Sequence, residues 1–326
     1  MTTSIALGRA ASCLSQFASG LCLTLVASAF LFAADAQAQT QTQTQAAPAA
    51  VAEPAPRAPG QGPALWVIRD ADSTVYLFGA VHLLRPGAAW GSDKVDAAFD
   101  SASDVWFEVV NPDDQTAMMT AIRDHGLSPE RPLSSRLTGT EKARLDAAVR
   151  AMGMDPAQID PMRPWFAAML VGVTPLTTAG YDPSAGVELN LRARATAAGK
   201  TLHGFETLDQ QLAGLAGMTD EGETTYLRHY LAHSDEAVSE MDRLVAGWAV
   251  GDLEAVSAYA RANGRDISDE THEIFMARRN ADWAGQIETL MAGSGTAFIA
   301  VGAAHLVGED SVQALLADKG IHAVLQ

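Results

Sequence analysis

Two histidines close similar motifs near opposite ends of the chain. Gly79-Ala80-Val81-His82 ends the apolar run TVYLFGAVH, and Gly302-Ala303-Ala304-His305 ends TAFIAVGAAH. Neutral imidazole is the commonest protein ligand for transition metals, but two imidazoles are too few to hold an ion. The motifs therefore predict a metal site at His82 and His305 that carboxylates complete. Their glycines, Gly79 and Gly302, let the backbone turn or approach a ligand closely.

Two glutamates are candidates for the missing ligands. Glu108 is the lone acid in the apolar run VWFEVV, where an unpaired charge needs a cation or a strong donor. Glu206 follows the short strand-like segment 200–205. Structural alternatives stay open, because a GxxH motif can hold a structural histidine and Glu108 can pair with an arginine such as Arg279. An arginine beside a metal can also bind a substrate carboxylate or stabilise an oxyanion.

The elements around the two motifs repeat. After His82 come a loop, a helix-like stretch at 92–100 and a strand at 105–110, and after His305 come a loop, a helix-like stretch at 309–319 and a strand at 321–325. Short apolar strands that alternate with helices are typical of an α/β (α+β) fold. We expect a central sheet built from two strand-GxxH-helix-strand units. Ligands bind at the carboxyl ends of strands in such sheets, so the two motifs should meet there.

The middle of the chain predicts a large helical insertion or cap. Thr138-Gly139-Thr140-Glu141 is a capping box that opens a helix ending near Gly153. The apolar stretch 165–178 is short and contains Pro175, which favours a buried helix over a membrane span. The segment 220–291 is almost all helical, with breaks near 234, 251 and 264. Nothing divides residues 64–326 into two domains.

Composition excludes several classes of function. The chain has 326 residues, and its 39 acidic and 22 basic side chains give a formal net charge of −17. Such a chain repels nucleic acid and anionic membrane surfaces. Both cysteines, Cys13 and Cys22, lie at the amino terminus. A disulfide framework or a cysteine-ligated zinc site in the body of the protein is therefore excluded.

The amino terminus predicts export. Residues 1–38 combine Arg9, the apolar run GLCLTLVASAFLF and an Ala36-Gln37-Ala38 cleavage site, as in a secretory signal peptide. Residues 39–63 form a low-complexity Gln/Thr and Ala/Pro linker with little to bury. We expect a periplasmic or secreted protein with no stable membrane span after signal cleavage. The sequence does not indicate an oligomeric state.

These motifs, in this order, resemble the TraB/PrgY/GumN family, which also looks related to the Tiki metalloproteases. The likeness covers residues 64–326 and includes LWVIRDADSTVYLFGAVHLLRPG, FEVV, MRPWFAAMLV, GFET, RRNADW and FIAVGAAHLVGEDSVQALLADKGI. It implies one site around both GxxH motifs with the strand acid Glu108, and it adds an Arg-Asn pair at Arg279 and Asn280. In the Tiki branch it implies metal-dependent peptidase activity. This chain has Gly186-Val187-Glu188 where the family commonly has Gly-Val-Asp, and Ala80 where a threonine is usual.

The leading hypothesis is an exported metal-dependent hydrolase, most simply a peptidase, acting on a peptide or a small molecule. His82, His305 and Glu108 would hold a divalent ion such as Mn, Co or Zn, with Glu108, Glu206 and Arg279 as catalytic residues. Asn280, Gly79 and Gly302 would contact the substrate. The alternative is a non-catalytic envelope protein that binds a metal, haem or a small ligand. A third possibility is a structural scaffold with a relic site.

Overall fold

The computed structural model describes residues 54–326. The predicted signal peptide and residues 39–53 of the predicted linker lie outside the described residues. The rest of the linker contacts the domain: Ala58 N–H donates to the Gly91 carbonyl at 2.9 Å, and Gly91 N–H donates to the Pro56 carbonyl at 2.9 Å. Arg57 also pairs with Asp96 at 2.6 Å. These contacts use backbone groups and one ion pair. They therefore do not need the large apolar side chains whose absence led to the prediction of a spacer.

A six-stranded mixed sheet forms the centre of the protein, in agreement with the predicted α/β class. Its strands are β1 (Leu65–Arg69), β2 (Ser73–Ala80), β3 (Asp104–Val109), β4 (Thr201–Glu206), β5 (Gly295–Gly302) and β6 (Val324–Leu325). The strand order is β4-β3-β5-β2-β1-β6. The four strands from β4 to β2 are parallel, and β1 is antiparallel to both of its neighbours.

The register brings the two GxxH motifs side by side. Strands β2 and β5 pair in parallel, with Gly79 opposite Val301 and Ala80 opposite Gly302. The prediction that the repeated units share one sheet is confirmed, with the motifs offset by one residue. The copies differ in their second strands. β3 lies parallel beside β5, whereas β6 has two residues and pairs antiparallel with β1 at the far edge.

Helices occupy most of the remaining chain. They are α1 (Asp93–Ser101), α2 (Gln115–Ala121), α3 (Gly139–Ala151), α4 (Pro164–Thr178), α5 (Val187–Ala197), α6 (Leu208–Leu215), α7 (Asp220–His233), α8 (Ala237–Ala249), α9 (Leu253–Ala262), α10 (Asp269–His272), α11 (Arg278–Met291) and α12 (Val312–Asp318). The predicted capping box at Thr138 and Glu141 is present at the start of α3. The breaks predicted near 234, 251 and 264 separate α7, α8, α9 and α10.

Helices cover both faces of the sheet. On one face Phe78 and Phe298 pack in one apolar core with Phe99 of α1, and on the other Leu77 and Ile299 pack with Trp283 of α11. This agrees with strands that are apolar along their whole length rather than alternating. A separate apolar core joins α2, α3, α4, α6 and α7. The predicted helical cap therefore has a core of its own, which includes the buried helix α4.

Candidate functional site

The carboxyl ends of the parallel strands meet at one edge of the sheet, and the predicted site residues lie there. Glu108 is near the end of β3, Glu206 is the last residue of β4, and Gly302 is the last residue of β5. His82 follows β2 by two residues, and His305 lies in a 3-10 turn, Ala303–Leu306, directly after β5. Parallel pairing thus collects residues that are far apart in sequence.

Glu108 is the centre of the cluster and is only 3% exposed. Its Oε1 accepts a hydrogen bond of 2.8 Å from the Gly302 N–H, and its Oε2 accepts from Arg279 Nη2 at 2.7 Å and from Gln211 Nε2 at 3.4 Å. Burial alone would raise the pKa of Glu108, but Arg279, His82 and His305 together hold that pKa well below its usual range. The carboxylate is therefore ionised.

Arg279 lies between two carboxylates. Its Nε donates to Glu206 Oε1 at 2.9 Å, its Nη2 binds Glu108, and its guanidinium lies 4.6 Å from the centre of the Trp283 ring. Burial lowers the pKa of Arg279, and the two carboxylates more than reverse this. Arg279 follows a π-helical segment (Glu273–Ala277) that connects α10 to α11. The ion pair between Glu108 and Arg279, which the sequence left as an alternative to a metal ligand, is present.

Glu206 lies behind the arginine. Its carboxylate also accepts a hydrogen bond from Trp283 Nε1 at 3.0 Å. Glu206 does not line the cavity of about 270 Å³ that Glu108 borders. Burial raises the pKa of Glu206 above its ordinary value, although Arg279 opposes the shift. The structure thus gives Glu206 a position from which it holds Arg279 in place.

His305 is buried and its orientation is fixed at both ring nitrogens. Nε2 lies 3.2 Å from Arg279 Nη1, and Nδ1 lies 2.6 Å from Asn280 Oδ1. Because a guanidinium only donates, Nε2 is the acceptor and Nδ1 carries the proton that Asn280 accepts. Burial, with help from Arg279, lowers the pKa of His305 to about 3. The ring is therefore neutral.

Asn280 holds His305 instead of facing the site. It is 2% exposed, and its Nδ2 donates to the Asp310 carbonyl at 2.7 Å. Both ends of the amide are engaged within the protein, and Asn280 does not line the cavity at the cluster. Burial on α11 turns the amide towards the loop after His305, and Asn280 lines a separate cavity of about 350 Å³ with Ala304 and Asp310.

His82 is oriented by a carboxylate that sequence reasoning missed. Its Nδ1 lies 2.7 Å from Glu188 Oε1, and its Nε2 lies 3.6 Å from Glu108 Oε1. Burial lowers the pKa of His82, but Glu188 and then Glu108 raise it to about 9. Glu188 is in the first turn of α5. The start of this helix can lie close to the His82 backbone because Gly186 has no side chain, and a Cβ there would collide with the His82 carbonyl. The Gly-Val-Glu motif was the available signal.

The two motif glycines have different surroundings. A Cβ on Gly302 would lie 3.1 Å from Glu108 Oε1, 3.2 Å from His82 Nε2 and 3.5 Å from His305 Cδ2. A Cβ on Gly79 would instead lie 3.0 Å from the Cα of Ala303. A side chain at Gly302 would therefore crowd all three predicted metal ligands, and the position that it would fill is called the Gly302 cradle. Gly79 permits close packing of β2 against the turn after β5.

The chemistry of the cradle fits a divalent ion. Both imidazoles have Nδ1 next to an oxygen acceptor, the outer arrangement that orients metal-binding histidines, and both Nε2 atoms lie within 4 Å of Glu108 Oε1. Within residues 54–326, however, no three His, Cys, Asp or Glu side chains are already grouped closely enough to hold an ion. Coordination by His305 requires its Nε2 to exchange the Arg279 contact for the ion.

A cavity of about 270 Å³ borders the cluster. His82, Glu108, Arg279, Gly302 and His305 line one part of it, and the remaining lining is mostly apolar, with three tyrosines. A smaller pocket of about 20 Å³, large enough for one water, also borders His82 and Glu108, beside Glu188. The cluster is therefore accessible from a cavity that can hold a substrate.

The pKa values of the two histidines are expected to be shifted in opposite directions in the metal-free protein. His82 should stay charged up to about pH 9 and His305 neutral down to about pH 3. Relative to an unfolded pKa near 6.5, His82 adds stability that is complete below that pH and is lost as the pH rises towards 9. His305 adds stability that is present above the unfolded pKa and is lost as the pH falls towards 3.

Imidazole ¹⁵N shifts recorded across a pH series measure both titrations directly. The Glu188→Gln variant, which keeps the shape of the side chain and removes its charge, should lower the pKa of His82 and leave His305 unchanged. Ordinary titration of both rings near the unfolded pKa would contradict the described contacts.

Comparison with known proteins identifies a family whose model covers most of the described residues. The family model for the TraB/PrgY/gumN family matches residues 64–324. An uncharacterized protein of Treponema pallidum (strain Nichols) is 22% identical over 260 residues, which cover 76% of this chain and 78% of that protein. No solved structure matches. No helix in residues 54–326 has the length and apolarity to cross a membrane. Because the family model spans the sheet, the helical cap and both GxxH motifs, the chain belongs to the TraB/PrgY/gumN family.

Proposed function

We propose that this protein is an exported metal-dependent hydrolase, most simply a peptidase, with its site at the Gly302 cradle. The observation that carries the proposal is the convergence of two imidazoles and one buried carboxylate around the Gly302 cradle, beside a cavity of about 270 Å³. Export rests on the signal-like residues 1–38. The peptidase activity rests on the resemblance of the motifs to the TraB/PrgY/GumN family, which looks related to the Tiki metalloproteases.

His82, His305 and Glu108 would hold the ion, which we propose to be Mn, Co or Zn. Imidazole and carboxylate ligands without a thiolate suit all three metals. When bound, a divalent ion supplies Lewis-acid chemistry: it polarises a carbonyl and makes water more acidic. Glu188 lies beside Nδ1 of His82 and Asn280 beside Nδ1 of His305, so Nε2 of each ring is the nitrogen left for the ion. His305 Nε2 would give up its contact with Arg279 to bind it.

The other side chains of the cluster have separable tasks in this proposal. Glu108 borders the cavity and Glu206 does not, so Glu108 is the carboxylate that can hold and orient water there. Arg279 also borders the cavity and can donate to an oxyanion that develops on the substrate. Glu206 holds the guanidinium in position for that contact.

Filling the cradle tests the proposal. In Gly302→Ala the added methyl group occupies the space shared by Glu108 and His82, while the Gly302 φ of −50° is compatible with alanine. We expect metal affinity and peptide hydrolysis to fall by about a hundredfold, a typical cost of a displaced catalytic group. Hydrolysis of a synthetic peptide mixture with added Mn, Co or Zn, together with metal titration, measures both effects.

Gly214→Ala is the matched control, because a Cβ at Gly214 meets nothing within 4 Å. It should retain metal binding and hydrolysis. Full activity of Gly302→Ala would show that the cradle is not the site. Metal uptake that depends on the cradle, without cleavage of any peptide, would favour the non-catalytic binding protein instead.

A further inference from the structure

The cavity beside the cluster has walls of one chemical character. Its walls come from α4, α7, α8, α9 and the π-helical segment, and include Met169, Val173, Leu244 and Phe275. The charged or titrating groups of its lining, apart from tyrosines, all belong to the cluster: His82, Glu108, Arg279 and His305. A substrate group that extends away from the cluster therefore meets an uncharged surface.

The tyrosines of the wall do not change this character. Tyr226 donates to the Tyr230 hydroxyl at 3.4 Å, and Tyr230 donates to Asn263 Oδ1 at 3.3 Å. Burial raises the pKa of Tyr259 well above its ordinary value, so this phenol stays neutral. The three rings add apolar area and contribute no charge.

The size of the cavity excludes a role limited to water. One water needs about 10–15 Å³ of such space, whereas the cavity measures about 270 Å³. Burial of apolar surface from water is favourable in proportion to its area. A large aromatic or aliphatic side chain can use this space, and a charged side chain there would lose its hydration without finding a partner.

The charge of the cluster disfavours acidic substrates. Arg279 is already paired with Glu108 and Glu206, and His82 is paired with Glu188. Each cation of the cavity lining already pairs with a carboxylate of the protein. The lining therefore offers no unpaired cation to a free substrate carboxylate. The whole chain also carries a net charge of −17. An internal peptide bond suits this site better than a carboxyl-terminal residue.

From these observations we infer the substrate class, in an inference that rests on the proposed hydrolase function. The site takes internal peptide segments and seats a large uncharged side chain, aromatic or aliphatic, in the cavity next to the scissile bond. Peptides with an acidic side chain at that position, or with a free carboxylate beside it, are disfavoured. Val173 on α4 is a residue that determines this specificity from the wall.

A panel of acetylated and amidated peptides that differ only at one central residue tests the inference. Peptides with Phe or Leu at this position should be cleaved about tenfold or more faster, in kcat/KM, than those with Ser or Glu, the range expected for a pocket that reads apolar size. Binding of the same peptides to the metal-free protein, followed by calorimetry, should show the same order. Equal binding of all peptides, or a preference for Glu, would overturn the inference.

Changes at Val173 identify the cavity as the source of the preference. Val173→Trp fills the space and should remove at least tenfold of the preference for Phe over Ser, as expected when a pocket loses its shape fit. Val173→Ala enlarges the space and should shift the preference towards Trp. Val250→Trp is the matched control, because Val250 is 47% exposed and does not line the cavity.

The two readouts separate the inference from the proposed function. Selective binding that depends on Val173, without cleavage of any peptide, would retain the cavity assignment and reject the hydrolase. Cleavage without any dependence on the central residue or on Val173 would retain the hydrolase and reject the cavity assignment. If Val173→Trp does not fold, Val173→Ala and the binding series of the unmodified protein still decide the question.

Discussion

Replacement of Glu108 by glutamine is expected to abolish hydrolysis and to destabilise the protein. The amide keeps an acceptor for the Gly302 N–H but removes the charge that faces Arg279 and both histidines. Its new N–H groups can also face the guanidinium, which only donates. Breaking a buried ion pair from one side costs about 3–5 kcal/mol, and the remaining Glu206 contact should keep the loss near the lower value.

Urea unfolding and peptide hydrolysis measure the two effects separately. Activity should fall by about 10³-fold or more, as is usual when a group needed for charge stabilisation is lost. Glu206→Gln is the matched control, because Glu206 shares Arg279 but does not border the cavity. It should cost stability and retain a larger part of the activity. An active Glu108→Gln protein would contradict the role assigned to this carboxylate.

Removal of Arg279 is expected to have the largest effect on stability. In Arg279→Met, Glu108 and Glu206 face one another without their shared cation, and a loss of about 3–5 kcal/mol at neutral pH is typical of such an uncompensated buried charge. The two folded-state pKa values should rise. A raised carboxylate pKa contributes stability below the unfolded pKa that is lost as the pH rises, so the variant should be least impaired in acid.

A divalent ion should rescue the same variant. The dication can replace the missing positive charge, and it stabilises the folded state by mass action if it binds there. Urea unfolding at pH 5 and pH 8, with and without Mn, tests both effects. Arg278→Met is the matched control, since Arg278 is an exposed neighbour that pairs with exposed Glu273. An Arg279→Met protein that Mn does not stabilise would argue against a metal at this cluster.

Local patterns were sufficient to predict the sheet and the ends of the strands that form the site. The apolar runs before His82 and His305, each followed by a loop and a helical stretch, predicted two units that share one sheet and whose motifs meet at the strand ends. Glu108 stood out because a lone acid in a buried strand needs a partner. Each of these signals lies within a few residues of the feature that it predicts, so it can be recognised without knowing which distant segments are in contact.

Contacts between distant segments could not be predicted in the same way. The 2.7 Å pairing of Glu188 with His82 depends on how α5 packs against the loop after β2, and the Gly-Val-Glu motif alone did not indicate His82 as the partner of Glu188. The short β6 pairs with β1 at the far edge, although the internal repeat predicted a copy of β3. The position of Asn280 behind His305 depends on the burial of α11, while the motif alone indicated only that the residue belonged near the site.

The metal content of the purified protein, compared with that of the His82→Ala/His305→Ala variant, tests the proposed site most directly. Both proteins are incubated with Mn, Co or Zn, dialysed and analysed by mass spectrometry for metal per chain, with circular dichroism to confirm that the variant is folded. We expect one divalent ion per chain in the unmodified protein and none in the folded variant. Equal metal content in the two proteins, or none in either, would contradict a metal site at His82, Glu108 and His305.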